Sequence, residues 1–253
     1  LFRSYPTRVA NPDLTWETSE QFNVGIDARL LRNLNINLDY YVKTTKDWLV
    51  SSPTYATTGF SEALINGGDV RNSGFEFNLT WNDKIGKDFN YTLGFNGAYN
   101  KNEVTSIPTN DGIIHGRGQI LSDDNAEIFR AQTGHTMGYF WGYKTDGIFQ
   151  NEQEISDWIL AGNGVLQSDV KPGDVKYVDM NHDGVINDDD KVDLGNGVPK
   201  FTFGFNLGFN YKHFDFNAQF SGATGFQILQ CYRNYTGYQN NWTTAVLDRW
   251  TGE

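Results

Sequence analysis

The sequence predicts an all-β protein, an antiparallel sheet of about eight strands whose two faces differ in chemistry. Three observations carry this. Apolar and polar residues alternate with period two over stretches longer than the ~5–6 residues of an ordinary strand. Glycine, with 27 residues, far outnumbers proline, with 6, as a chain with many tight turns requires. Aromatics reach 15% of the chain although its mean hydropathy is only −0.53.

The strands follow in order. Trp16, Thr18, Phe22, Val24, Ile26, Ala28 and Leu30 share one face, with Glu20 as the exception. Glu17, Ser19, Gln21, Asn23, Asp27 and Arg29 oppose them. After the turn Leu31-Arg32-Asn33, a second strand sets Leu34, Ile36, Leu38, Tyr40 and Val42 against Asn35, Asn37, Asp39 and Lys43. A third sets Phe75, Phe77, Leu79 and Trp81 against Glu76, Asn78 and Thr80. A fourth sets Phe89, Tyr91, Leu93, Phe95 and Tyr99 against Asn90, Thr92, Asn96 and Asn100. Two weaker strands are expected at 126–133 and 138–149, hinged at Thr133-Gly134-His135-Thr136, with Tyr139, Trp141 and Tyr143 on one face. Residues 151–160 read as a short surface helix. Phe201 to Tyr211 is apolar at every odd position, and Phe214, Phe216, Ala218 and Phe220 continue the pattern.

Short turns near 31–33, 83–88, 134–137 and 212–213 alternate with long connections near 50–69, 101–125, 150–198 and from 229 onward. Short turns on one side and long loops on the other is the plan of an outer-membrane barrel. A soluble sandwich shares the period-two pattern, with its apolar face as core. Two features favour lipid. Rings gather at strand ends (Trp16, Trp81, Phe89, Tyr99, Tyr211, Phe214), where interfacial girdles belong. The opposite face is rich in Asn, Gln, Gly and Thr and poor in Lys, as a wet interior wall would be.

Composition excludes other classes. A net charge of −11 argues against nucleic acid, which needs a basic footprint. No apolar run approaches the ~18 residues of a spanning helix. A single cysteine, Cys231, rules out an internal disulfide framework. His115, His135, His182 and His213 are scattered, with no zinc-type pair. Neither a nucleophile elbow nor a phosphate-binding glycine loop is present, so no enzyme is expected.

One motif carries chemistry. Residues 179–190 fit a twelve-residue calcium loop. Calcium takes six to eight hard oxygens. Asp179, Asn181 and Asp183 supply positions one, three and five, Gly184 the sharp turn, Val185 a carbonyl, and Asn187 a ligand directly or through water. Asp190 stands at position twelve, where glutamate is usual. The other reading is a solvated acidic turn. Among loop aromatics, Tyr235, Tyr238 and Trp242 are candidate contacts for a substrate or partner, beside the plainer role of loop packing. Trp158, Tyr232 and Trp250 share that choice.

Seven pieces occur in order: NPDLTWETSEQFNVGID (11–27), DYYVKTTKDWLV (39–50), NGGDVRNSGFEFNLTW (66–81), GAYNKNEVT (97–105), YFWGYKTDGIFQ (139–150), KPGDVKYVDMNHDGVINDDDKVDLGN (171–196) and VLDRWTGE (246–253). Together they resemble the C-terminal half of the barrel of SusC/RagA-type TonB-linked outer-membrane transporters of Bacteroidetes-like bacteria. The resemblance implies part of a 22-stranded transmembrane barrel with long extracellular loops. It implies a plug domain and further strands outside residues 1–253. It further implies TonB acting through that plug, a SusD-like lipoprotein lid, and a glycan or peptide as imported nutrient. An acidic loop like 179–190 is common in this family, where calcium would lock a large outer loop. Two rival readings stand beside it. One is a passive porin-like or adhesin barrel in the outer membrane. The other is a soluble, calcium-dependent carbohydrate-binding sandwich.

Overall fold

The computed structural model describes residues 10–53, 56–60, 62–109, 111–116, 118–120, 126–160, 170–230 and 243–252. In chain order the strands are β1 (Thr18–Leu30), β2 (Leu34–Lys46), β3 (Leu49–Pro53), β4 (Glu62–Asn66), β5 (Asp69–Ile85), β6 (Phe89–Ser106), β7 (Ile113–His115), β8 (Phe129–Gln132), β9 (Tyr139–Tyr143) and β10 (Thr145–Ile148). The helix α1 (Glu152–Leu160) follows, then β11 (Val175–Tyr177), β12 (Lys191–Asp193), β13 (Phe201–Tyr211) and β14 (Phe214–Thr224). The chain divides into two compact units.

The first unit, drawn from Leu1–His115, Ala131–Gly138 and Asn196–Ile228, holds one antiparallel six-stranded sheet. Its order is β1-β2-β5-β6-β13-β14. Hairpins β1–β2, β5–β6 and β13–β14 close at one end of this sheet, and the long connections leave from the other. The hairpin turns are tight enough to force Leu31, Arg32 and Lys212 to positive φ, where only the strand twist, and no residue preference, puts them.

Pairing register sorts side chains onto two faces. Leu38, Phe77, Gly97, Phe203 and Gly222 stand in one row across five strands. Below it run Ile36, Leu79, Phe95, Phe205 and Phe220. Rings and glycines interlock here: a Cβ on Gly97 would come 2.6 Å from Phe77, and one on Gly222 would come 2.5 Å from Phe203. Phe22, Phe75, Phe95, Phe203, Phe205, Phe214, Phe216 and Phe220 all remain exposed on this face. Leaving one such side chain in water forgoes about 1.5–3 kcal/mol. A face of this kind needs a non-aqueous neighbour, and a sandwich core would have buried it.

The buried cluster of the unit lies elsewhere. Trp48, Val70, Val104 and Ile107 pack together at the long-connection end, with Val50, Ile114 and Ala131 against them. Asn66 ties the incoming chain there. It accepts from the Thr15 amide at 2.9 Å and donates to the carbonyls of Thr15 and Asp47.

The second unit comprises Gly116–Arg130, Tyr139–Gly195 and Leu229–Glu253. The two weaker strands of the sequence pattern form in part, as β8 and β9–β10, and they stand outside the six-stranded sheet. In this unit β9 pairs with β12 and with Phe129–Arg130 of β8, and β10 pairs with β11. Tyr139 is fully buried. Arg130 stacks over Trp141 at 3.9 Å and pairs with Glu127. The turn at 133–136 accordingly lies in the long-connection region, where the Gly134 amide donates to the Val104 carbonyl at 2.8 Å. The expected helix forms as α1, anchored by Trp158 edge-on to Phe149 and by the Lys176–Glu154 ion pair.

Candidate functional site

The inner face of the six-stranded sheet is a wall of short polar groups. Asp27, Asn37, Asn78, Asn96, Gly204 and Ser221 form one row. Asn37 donates to Asp27 at 2.5 Å, and Asn78 to Asn37 at 3.4 Å. The next row holds Gly25, Asp39, Glu76, Ala98 and Thr202. Glycines give the neighbouring polar groups room to lie flat. A Cβ on Gly204 would sit 2.4 Å from Asn96 Oδ1, and one on Gly25 would sit 2.2 Å from Asp39 Oδ1. A shallow groove of about 610 Å³ runs over these rows. Beside it, Asn206 Oδ1 is buried and has no protein partner among the described residues. Such an atom calls for water or a bound donor. This wall can hydrogen-bond a polar solute or a hydrated filling.

The acidic loop is the second site. Asp179 and Asp190, first and last of the twelve, are 2% and 0% exposed. Asp179 accepts from the amides of His182 at 2.7 Å and Gly184 at 2.8 Å. Asp190 accepts from Met180 at 2.8 Å and Asn187 at 2.7 Å. Asn181 Oδ1 takes the Asp183 amide, Asp183 Oδ1 the Val185 amide, and Asn187 Oδ1 the Asp189 amide. His182 and Gly184 reach positive φ to allow this winding. Burial pushes the Asp190 carboxyl up, but donated amides of Asn187, Met180 and Asn181 outweigh it and hold its pKa below the usual value.

The structure therefore gathers Asp179, Asn181, Asp183, Asn187 and Asp190 in one closed turn, with the Val185 side chain pointing into solvent. Among the described residues no three His, Cys, Asp or Glu side chains stand as a ready metal cage. The donor chemistry still suits a hard cation. Asp179 and Asp190 are both buried carboxylates, and neither has a cationic side chain paired to it among the described residues. Tyr235, Tyr238 and Trp242 lie outside the described residues, as does Cys231. Trp250 packs on Gly173, and Trp158 on Phe149, so these two aromatics serve packing.

Sequence reasoning missed a clasp beside the loop. Tyr143 donates to Asp188 Oδ1 at 3.1 Å, and Lys191 pairs with the same oxygen at 2.8 Å. Burial, then the Asp188 hydrogen bond and the charges of Asp188 and Asp190, push the Tyr143 phenol up to about 12. The Asp188–Lys191 spacing was a usable signal; Tyr143, distant in sequence, gave none.

A two-faced sheet with bare rings outside, amides inside, tight turns at one end and long connections at the other is the wall of an outer-membrane barrel. The comparisons agree. The model of the family described as TonB dependent receptor-like, beta-barrel matches residues 1–252. The chain belongs to that family, and it is an outer-membrane protein. It is 33% identical over 233 residues to TonB-dependent receptor P3 of Formosa agariphila, covering 91% of this chain and 22% of the relative. It is 26% identical over 233 residues to TonB-dependent receptor SusC of Bacteroides thetaiotaomicron, covering 90% and 20%. A solved structure of the RagAB peptide transporter shares the fold, with a TM-score of 0.64 at 24% identity over 86% of this chain and 22% of that one. The chain thus spans about a fifth of the length of these relatives.

Proposed function

We propose that residues 1–253 form part of the barrel wall and outer loops of a receptor that imports a nutrient across the outer membrane. Its plug domain and remaining strands would belong to sequence outside this stretch, as the greater length of the relatives suggests. Uptake is TonB-dependent and acts through that plug. A SusD-like surface lipoprotein captures the nutrient, a glycan or oligosaccharide or else a peptide. This chain contributes structure and contacts; it performs no catalysis. The observation that carries the reading is the family match across 1–252 on a sheet whose ring-bearing face is bare. The test is uptake of labelled oligosaccharides and labelled peptides by cells making the intact receptor, with and without TonB. Uptake of one class that disappears without TonB supports the proposal. Uptake that persists without TonB would make the protein a passive channel.

We further propose that the 179–190 loop binds calcium as a structural ion, through Asp179, Asn181, Asp183, the Val185 carbonyl, Asn187 and Asp190. Two buried carboxylates in one loop of oxygen donors favour a cation over solvent. Calcium should slow proteolysis within this loop in the intact receptor, and Asp183→Ala should abolish the effect. Equal cleavage with and without calcium would remove the proposal.

A further inference from the structure

The outer face carries an oblique line of cations above its aromatic rows. Tyr40, Phe75 and Tyr99 form one row. By alternation Lys46 shares the face of Tyr40, Arg71 that of Phe75, and Lys101 that of Tyr99. Arg71 stands opposite Thr44, two residues short of Lys46, and opposite Glu103, two residues beyond Lys101. The three cations therefore climb by two residues per strand across β6, β5 and β2.

Such a climb is what a level line becomes on tilted strands. At a tilt of ~45°, points of equal height shift by about 1.5 residues per strand, given ~3.3 Å per residue and ~4.8 Å between strands. The first two hairpins are offset in the same sense, while β13–β14 closes in register with β5–β6. The β1–β2 hairpin closes at Leu34, opposite Trp81, whereas β5 runs on to Ile85. On strands tilted in that sense Lys46, Arg71 and Lys101 lie at one height on the long-connection side, two residues beyond Tyr99, four beyond Phe75 and six beyond Tyr40. That is the head-group level of the outer leaflet.

Their partners leave capacity. Lys46 pairs with Glu20 at 2.7 Å and Lys101 with Glu103 at 2.6 Å, both exposed. Asp47 and Asp69 add negative charge near Lys46. Arg71 is exposed, feels the charge of Glu103, and makes no hydrogen bond or ion pair among the described residues. A guanidinium presents a planar fork of donors that fits phosphate. We infer that Arg71, flanked by Lys46 and Lys101, binds phosphate groups of the lipid in the outer leaflet. Glu20 and Glu103 compete with that lipid for the two lysines. This inference rests on the membrane-wall reading and adds a lipid partner to it.

The experiment uses the intact receptor in nanodiscs of zwitterionic phospholipid doped with either lipid A or dephosphorylated lipid A. Lipid retained on the protein is read by native mass spectrometry. The phosphorylated form should be preferred, and Arg71→Gln should cut that preference about fivefold. Arg71→Lys should keep part of it. Glu20→Gln with Glu103→Gln should raise it, a response that a merely structural ion pair would not give. Equal retention of both lipids by the wild-type receptor, or an unchanged preference in Arg71→Gln, overturns the inference. So does loss of a bound surface lipoprotein with lipid retention intact, which would make the line a protein contact. Failure of the membrane reading would show differently, as a receptor that stays monomeric without nanodisc or detergent.

Discussion

Tyr41 reaches over Gly74 to Asn100: its hydroxyl donates to Asn100 Oδ1 at 2.9 Å, with Gly74 between them in the same row. A Cβ on Gly74 would lie 2.3 Å from the Tyr99 carbonyl oxygen and 2.6 Å from the Tyr41 hydroxyl. The bridge exists because the residue beneath it has no side chain.

Gly74→Ala should therefore destabilise the receptor by about 1–3 kcal/mol, the usual cost of overpacking against backbone. Gly222→Ala should cost less, because the obstructing atoms belong to the outer end of the Phe203 ring, which can swing into lipid. The temperature at which the folded band disappears in detergent gel electrophoresis reads both. Equal losses would mean that Tyr41 and Tyr99 yield as easily as Phe203.

A charge placed on the two faces should have opposite consequences. Phe205→Lys puts a cation among exposed rings and should cost about 2–4 kcal/mol of folding into vesicles, as at a bilayer midplane. Asn96→Lys, on the amide-lined face, should fold into vesicles nearly as the parent does. If the two variants insert alike, the assignment of the faces fails.

Removing one carboxylate should loosen the acidic loop even without added metal. Asp179→Ala deprives the His182 and Gly184 amides of their charged acceptor, a loss of about 1.5–3 kcal/mol for each such bond. Hydrogen exchange at those two amides should accelerate while exchange in β13 stays unchanged.

The Tyr143 phenol should titrate near 12, two decades above an ordinary tyrosine. Its folded pKa is raised, so its contribution to stability is fully present below the unfolded value of ~10 and is lost as pH rises through the folded value. Between those limits the loop unit should weaken in the parent, whereas Tyr143→Phe should show no such step. Ultraviolet difference absorbance on the two proteins measures it.

The long strands were legible because their alternation needs no partner element: Leu34 to Val42 and Phe201 to Tyr211 meet lipid directly, so period two survives unbroken. Residues 126–133 and 138–149 carry a similar rhythm for a different reason. Tyr139 faces the interior of a small sheet, and alternation alone cannot tell an interior of side chains from one of hydrocarbon. The calcium-like spacing of Asp179, Asn181 and Asp183 was visible too. That Asp179 and Asp190 would be filled by backbone amides was not, because it depends on the left-handed turn at His182. The Lys46–Arg71–Lys101 line was hidden until pairing register set three distant residues side by side.

β1 and β14 stand at the two margins of the six-stranded sheet, each with a single hydrogen-bonded neighbour among the described strands. In water their bare amides and carbonyls would be hydrated. In hydrocarbon each would cost several kcal/mol. This sheet therefore cannot enter the bilayer as a raft and find its neighbours afterwards. Insertion of this sheet and pairing of its two margins have to advance together.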